Sequence, residues 1–396
     1  MSDEKWVPKL RFSGFTDEWN EVTLNDVATF SKGKGISKND IFDCGIECVR
    51  YGELYSKYNE MIYNVESKTN LDKNELKLSE KDDILMPCSG ETAIDLATAS
   101  CIQKDQVAIG GDITVIKTNQ YAPFITYYLN QKKTEIAKYA QGVSIVHLYP
   151  KDFKVMNIRI PSFNEQKKIV TLLEEINKKE KLLDSKYQEY QYFKKYLMQQ
   201  IFAQNLRFDF NDEWQHVNLI DICEIGKGFT PSTGKPEFWD GNLDWLSIAD
   251  MNQGKYINCT TKKITEEGAK NKEIIKKGTL LMSFKLTIGK LGILNKDMYT
   301  NEAICNFKLR NNNVLTEYLY YYLNSINIMK YGSQAAKGIT LNNDTLNTIP
   351  ILLPSIEEQN KIVNVLSTTD IKLDNIGMEL NNCIKFKKGL LQQMFV

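Results

Sequence analysis

From Glu165 to Phe202 apolar side chains recur at steps of four and three, with no glycine or proline among them, which predicts one long helix. The seam runs Ile169, Leu173, Ile176, Glu180, Leu183, Tyr187, Tyr190, Lys194, Leu197 and Ile201. A stripe of this period needs a partner helix to cover it. The end of the chain supplies one in Ile362, Leu366, Thr369, Leu373, Ile376, Leu380, Cys383, Lys387, Leu390 and Met394. Lys194 and Lys387 fall at the same place in the two seams, and a shared polar position serves register more than stability. At ~1.5 Å per residue each helix is on the order of 60 Å long. The other packing open to such helices is each one separately on its own domain. Both start after a Pro-Ser pair, Pro161 and Pro354, where proline closes a strand and the next residues can cap a helix.

The two helices belong to a wider echo. Leu10-Arg11-Phe12 leading to Asp17-Glu18-Trp19 returns as Leu206-Arg207-Phe208 leading to Asp212-Glu213-Trp214. Pro161-Ser162 with Glu165-Gln166 returns as Pro354-Ser355 with Glu358-Gln359, and Phe193-Lys194-Lys195 returns as Phe386-Lys387-Lys388. Between these frames, residues 20–160 and 215–353 read as mixed α and β and share little beyond hydrophobic pattern. Ile84-Leu85-Met86 and Leu280-Leu281-Met282 read as matching buried strands, each followed by a polar, turn-rich loop. Phe124–Asn130 and Tyr318–Asn324 align as aromatic-rich amphipathic helices whose tyrosines are core groups.

With 396 residues, 42% hydrophobic and 25% charged, the chain has the length of two domains and the composition of a globular protein. No apolar run reaches the length of a membrane span and the start does not read as a signal peptide, so the expected compartment is the cytoplasm. Fifty basic and fifty acidic residues cancel. Any basic groove must therefore come from folding, and not from bulk charge. Eight cysteines without close pairing and two histidines, His147 and His216, predict buried thiols, with no metal site.

Catalytic motifs are missing. A phosphate-binding loop needs Gly, four residues, then Gly-Lys-Ser/Thr; Gly228 to Gly234-Lys235-Pro236 has five residues and a proline where the hydroxyl belongs. None of the nine prolines are adjacent, so the Pro-Pro-aromatic loop of base-flipping methyltransferases is absent. Glu75 with Lys77 and Glu165 with Lys167 are chance nuclease-like pairs in a charge-rich chain. The chain itself is expected to catalyse nothing.

The doubled Leu-Arg-Phe to Asp-Glu-Trp opening, the Pro-x-x-x-Glu-Gln helix start and the Phe-Lys-Lys to Gln-Gln ending resemble the specificity subunit of type I restriction-modification systems, over nearly the whole chain. The resemblance implies an α+β fold: two pseudo-symmetric mixed α/β target-recognition domains separated by two long antiparallel coiled-coil helices. It implies domains at 1–160 and 206–353, a central spacer helix at 161–205 and a C-terminal helix at 354–396 that pairs with it. The function implied is the reading of a bipartite, asymmetric target in double-stranded DNA. The partners implied are two modification (methyltransferase) subunits and two restriction (motor and nuclease) subunits. S-adenosylmethionine, ATP and Mg would be held by those partners, and no cofactor by this chain. A structural coiled-coil scaffold whose variable domains bind other proteins is the alternative, and an enzyme fused to a recognition module a third.

Under the DNA reading, loop tips carry the chemistry, with Arg or Lys suited to guanine and Asn or Gln to adenine. The candidates in the first domain are Lys32, Lys34, Arg50, Tyr51, Ser89, Glu91, His147 and Lys151. In the second they are Lys227, Thr230, Lys285, Thr287, Lys337, Thr340 and Asn342. Each can equally be read as an ordinary solvated loop residue. Trp245 reads as core, and Lys178, Lys179 and Lys181 as a stripe that faces either solvent or DNA.

Overall fold

The computed structural model describes residues 6–142, 146–284, 287–335, 338–341 and 343–396. The chain forms two compact units, Met1–Leu183 with Glu379–Val396, and Asp184–Met378. Each unit thus holds one mixed α/β domain and a part of each long helix.

In the first unit the strands Ala28–Lys32 (β1), Ile84–Pro87 (β4), Ser100–Ile102 (β5) and Ile113–Thr118 (β6) join Met61–Ile62 (β3) in a five-stranded sheet ordered β1-β6-β4-β5-β3. All neighbours are antiparallel except β3 and β5. A second, smaller sheet contains Ile46–Val49 (β2), which runs parallel to Ala108–Ile109. The second unit repeats the plan. Cys223–Lys227 (β7), Ile304–Leu309 (β12), Leu280–Ser283 (β10), Leu291–Leu294 (β11) and Tyr256–Ile257 (β9) give the order β7-β12-β10-β11-β9, again with only the last pair parallel. Trp239–Leu246 (β8) runs parallel to Tyr299–Thr300 beside it. Each domain's ends are drawn together by a two-stranded antiparallel pair, Asn20–Thr23 with Asn157–Ile160 and Gln215–Asn218 with Pro350–Leu353.

Ala122–Gln131 (α1) and Thr316–Ser325 (α3) correspond to the aromatic helices read in the sequence. The first is not amphipathic: every residue from Ala122 to Leu129 is buried. It lies on β4 and β5, and its far side meets the long helix, where the Tyr127 hydroxyl donates to Glu174 at 2.5 Å. Tyr321 of α3 likewise donates to Asp370 at 2.5 Å. Burial, followed by the neighbouring carboxylate, raises both phenols well above their ordinary range, so they remain protonated donors.

The long helices are Phe163–Phe202 (α2) and Ile356–Met394 (α4). Ser162 and Ser355 accept from the amides of Glu165 and Glu358 at 3.4 and 3.3 Å, and Gln204 in the left-handed region (φ 57) stops α2. Within the first unit Ile176 meets Cys383 and Lys179 meets Glu379. Within the second, Tyr187 lies by Gly377 and Lys194 by Asp370. Partner numbers fall as α2 numbers rise, so the pairing is antiparallel. Ile169, Leu173, Ile176 and Leu183 are buried in the first unit with Cys383 and Leu390; Leu197 and Ile201 are buried in the second with Ile362, Leu366, Leu373 and Ile376. The helices pack on each other as well as on their domains. Their equivalent lysines have different partners: Lys387 reaches Glu60 and Glu180 at 3.6 and 3.7 Å, Lys194 reaches Asp370 at 2.5 Å.

The repeated words are clamps that fasten a domain to the start of a helix. The Arg11 guanidinium donates twice to buried Glu165 at 2.7 and 2.8 Å, and Arg207 twice to buried Glu358 at 3.1 and 2.7 Å. Gln166 accepts from the Tyr121 amide and donates to the carbonyl of Pro161; Gln359 accepts from the Leu315 amide and donates to the carbonyls of Pro354 and Asn313. Because Glu165 is occupied in this way, its pairing with Lys167 is not a metal-binding arrangement. Among the described residues no helix is long and apolar enough to cross a membrane.

Candidate nucleic-acid interface

In each domain β1 or β7 ends beside the start of the neighbouring strand, and several loops gather at that one end of the sheet. In the first domain Lys32 ends β1, with Gly33 and Lys34 following. The amide of Gly33 donates to the carbonyl of Ile113 and that of Lys34 to Ile109, both at 3.0 Å. The loop at Gly110 joins the group through its amide, which donates to the Val49 carbonyl at the end of β2 (2.9 Å). The segment after β4 is attached by Cys88, whose amide donates to the carbonyl of Asp112 and whose carbonyl accepts from Leu148. A side chain at Gly33 would overlap the Gly110 carbonyl, and one at Gly228 in the second domain the Thr300 carbonyl. Glycine at both places is what lets the two loops approach.

Lys32, Lys34, Arg50, Tyr51, Ser89 and His147 are thereby brought to one end of the first sheet. Ser89 and His147 face each other across the short pair Ser89–Gly90 and Val146–His147, with Ser89 Oγ 3.2 Å from His147 Nδ1. His147 stacks on Tyr149 at 5.8 Å between centroids, and Lys151 stands over the other aromatic ring at 5.8 Å. Lys32 is exposed and lies 3.7 Å from Asp112, a weak pair in solvent. Glu91 is exposed just beyond Gly90.

The second domain is built alike and furnished differently. Lys227 ends β7 with its ammonium 5.4 Å from the Phe284 ring. Gly228 and Phe229 are held by the carbonyls of Ile304 and Thr300. Thr230 is engaged within the loop: its hydroxyl bonds Glu302 and accepts from Asn301 at 2.9 Å. Thr287 is exposed, with its carbonyl accepting from Ser283 Oγ. Thr340 lies in the strand Gly338–Thr340, paired with Ser333. Lys285, Lys337 and Asn342 lie outside the described residues. A cleft of about 310 Å³ runs along β7 and is of mixed charge, lined by Lys227, Lys272, Lys276 and Lys308 together with Glu224 and Glu273. A larger one of about 730 Å³ in the first unit lies elsewhere, between Tyr55–Tyr63, Glu174–Lys181 and Lys387.

Spacing alone did not single out Asp112, Tyr149, Ser247, Asn301 or Glu302, which the topology places in these same loop groups. The one usable signal was the match between Gly33 and Gly228, which aligns the loops following them. Trp245 is core, 4% exposed, with Nε1 donating to the Phe229 carbonyl at 2.8 Å. Lys178 and Lys179 pair with Glu175 and Glu379, and Lys181 stands over Tyr63. Six cysteines are buried, but Cys44 and Cys259 are exposed, contrary to the expectation of buried thiols throughout. Among the described residues no group of three or more His, Cys, Asp or Glu is placed to hold a metal ion.

The family model described as type I restriction modification DNA specificity domain matches residues 16–191 and, a second time, 211–385. The chain belongs to this family. The MjaIX specificity subunit of Methanocaldococcus jannaschii is 33% identical over 191 residues, which cover 46% of this chain and 44% of that one. The StySPI specificity subunit of Salmonella potsdam is 20% identical over 95% of this chain and 87% of its own. The chain thus spans less than half the length of the first of these relatives and most of the second. The type I S subunit of M. genitalium has the same fold, with a TM-score of 0.64 at 16% identity, covering 98% of this chain and 99% of that one. Both named relatives are specificity subunits of type I restriction enzymes, and each of the two domain matches contains one of the five-stranded sheets described above.

Proposed function

We propose that the chain is the DNA-recognition subunit of a type I restriction-modification complex, with residues 1–160 and 206–353 each reading one half of a bipartite, asymmetric target. The observation that carries this is the contrast at the sheet ends. Two domains with the same five-strand order, the same glycine approach and the same helix clamp present Lys32, Arg50, Ser89 and His147 in one case and Lys227 and Thr287 in the other, where Thr230 is bonded within its own loop. Identical frames with different donors suit two different half-sites read by base-edge contacts.

The long helices set the gap between half-sites and dock two modification subunits, to which two restriction subunits add. Phe193 and Phe386 hold equivalent places in the repeat and are 49% and 59% exposed, which supports one partner contact per helix ending. Modification subunits carry S-adenosylmethionine and supply phosphate contacts, which accounts for a recognition chain of zero formal charge. The full chain assembled with modification subunits should shift a bipartite duplex far more strongly than its scrambled counterpart. Equal binding to every duplex by the assembled complex defeats this reading.

A further inference from the structure

The turns after β2 and β8 are held by the same device. The Gly110 amide donates to the Val49 carbonyl and the Asn301 amide to the Leu246 carbonyl, both at 2.9 Å. Three residues beyond the next position a buried carboxylate accepts from its amide: Arg50 N–H donates to Glu53 Oε2 and Ser247 N–H to Asp250 Oδ2, again both at 2.9 Å. Glu53 and Asp250 are 3% and 6% exposed. Positions 50 and 247 therefore correspond, with their backbone fixed at the sheet end of each domain.

Their side chains do not correspond. The Ser247 hydroxyl donates to the same Asp250 oxygen at 2.6 Å and is used up internally. Arg50 has its Nε buried without an acceptor, and its guanidinium makes no ion pair with a described residue. Its neighbour Gly110 is bridged to Lys34, so Arg50 stands beside the loop that carries Lys32 and Lys34. A partly desolvated guanidinium without an acceptor costs folding free energy. The buried Nε stays out of reach of solvent, but the two terminal nitrogens make no hydrogen bond to a described residue, and their paired donors match the O6 and N7 acceptors of guanine in the major groove.

We infer that Arg50 reads one guanine in the half-site of the first domain, while position 247 reads no base in the other. This rests on the DNA-recognition reading and adds a specificity-determining residue to it. The test uses the full chain assembled with modification subunits and a panel of duplexes in which each base pair of the native target is changed singly. Arg50→Met keeps the apolar stem and removes the unpaired guanidinium, so its thermal unfolding midpoint should equal or exceed the parent's. Discrimination at one guanine-bearing pair in one half-site should fall by roughly 5- to 150-fold, with every other pair retained. The inference is overturned by an unchanged profile. It is equally overturned by uniform weakening on all duplexes with a shallower salt dependence, which marks a phosphate contact. A parent complex without any sequence preference would instead overturn the recognition reading itself.

Discussion

Trp19 and Trp214 hold the same place in the two frames and are bonded differently. Trp214 Nε1 donates to Glu358 at 3.0 Å, whereas Trp19 Nε1 is buried without an acceptor and its ring packs edge-on against Phe124 and Phe395. Replacing either by phenylalanine removes similar volume, but only Trp214→Phe loses a hydrogen bond to a charged, buried group. Trp214→Phe should therefore cost about 1.5–3 kcal/mol more than Trp19→Phe, read from urea unfolding of the two variants. At this scale the sequence displayed the right words but not their bonds. The matched Arg, Trp and Glu-Gln positions were visible, yet Arg207 and Glu358 meet across most of a domain, and no spacing rule reveals that one tryptophan finds a carboxylate and the other does not.

Elements were legible where their period is local. The steps of four and three gave both long helices, and continuous apolar runs gave Ile84–Pro87 and Leu280–Ser283. The five-strand order was not legible. Its parallel pairs, such as Met61 beside Cys101, join short strands with no sequence signature of their own. Phe124–Asn130 read as amphipathic, yet its tyrosine hydroxyls stay buried: Tyr127 donates to Glu174 of the long helix, and Tyr128 accepts from the Arg159 amide at 3.0 Å. The helix seam itself separates two kinds of position. Leu366 is fully buried, and Leu366→Ala should cost about 2–5 kcal/mol. Lys387→Met adds apolar contact but leaves Glu60 and Glu180 without their shared cation; both carboxylates still reach solvent, at 19% and 31% exposure, so the loss should stay at about 1 kcal/mol. Urea midpoints of the two variants check the contrast; equal losses would mean that Lys387 contributes stability and not register.

For the molecule as a whole, the repeat keeps what fastens each domain to its helix start and varies what the sheet ends present. The candidate site was legible only as loop neighbourhoods. Lys32, Arg50, Ser89 and His147 were recognisable as suitable donors, but their convergence depends on Gly33, Gly110 and Cys88 drawing separate loops together. Bulk charge gave no help, since a sheet end needs only a few donors; under the proposed reading the modification subunits would carry the rest of the phosphate contact. The central claim is that frames set spacing while fillings set sequence. It is tested most directly by mapping methylated adenines on DNA treated with the reconstituted modification complex, using the native chain and a version with four residues inserted near Lys181, ~6 Å of added helix. The account predicts one motif of two different half-sites for the native chain and the same two half-sites with a changed gap for the insertion. A continuous motif, or a half-site whose sequence changes with the insertion, would contradict it.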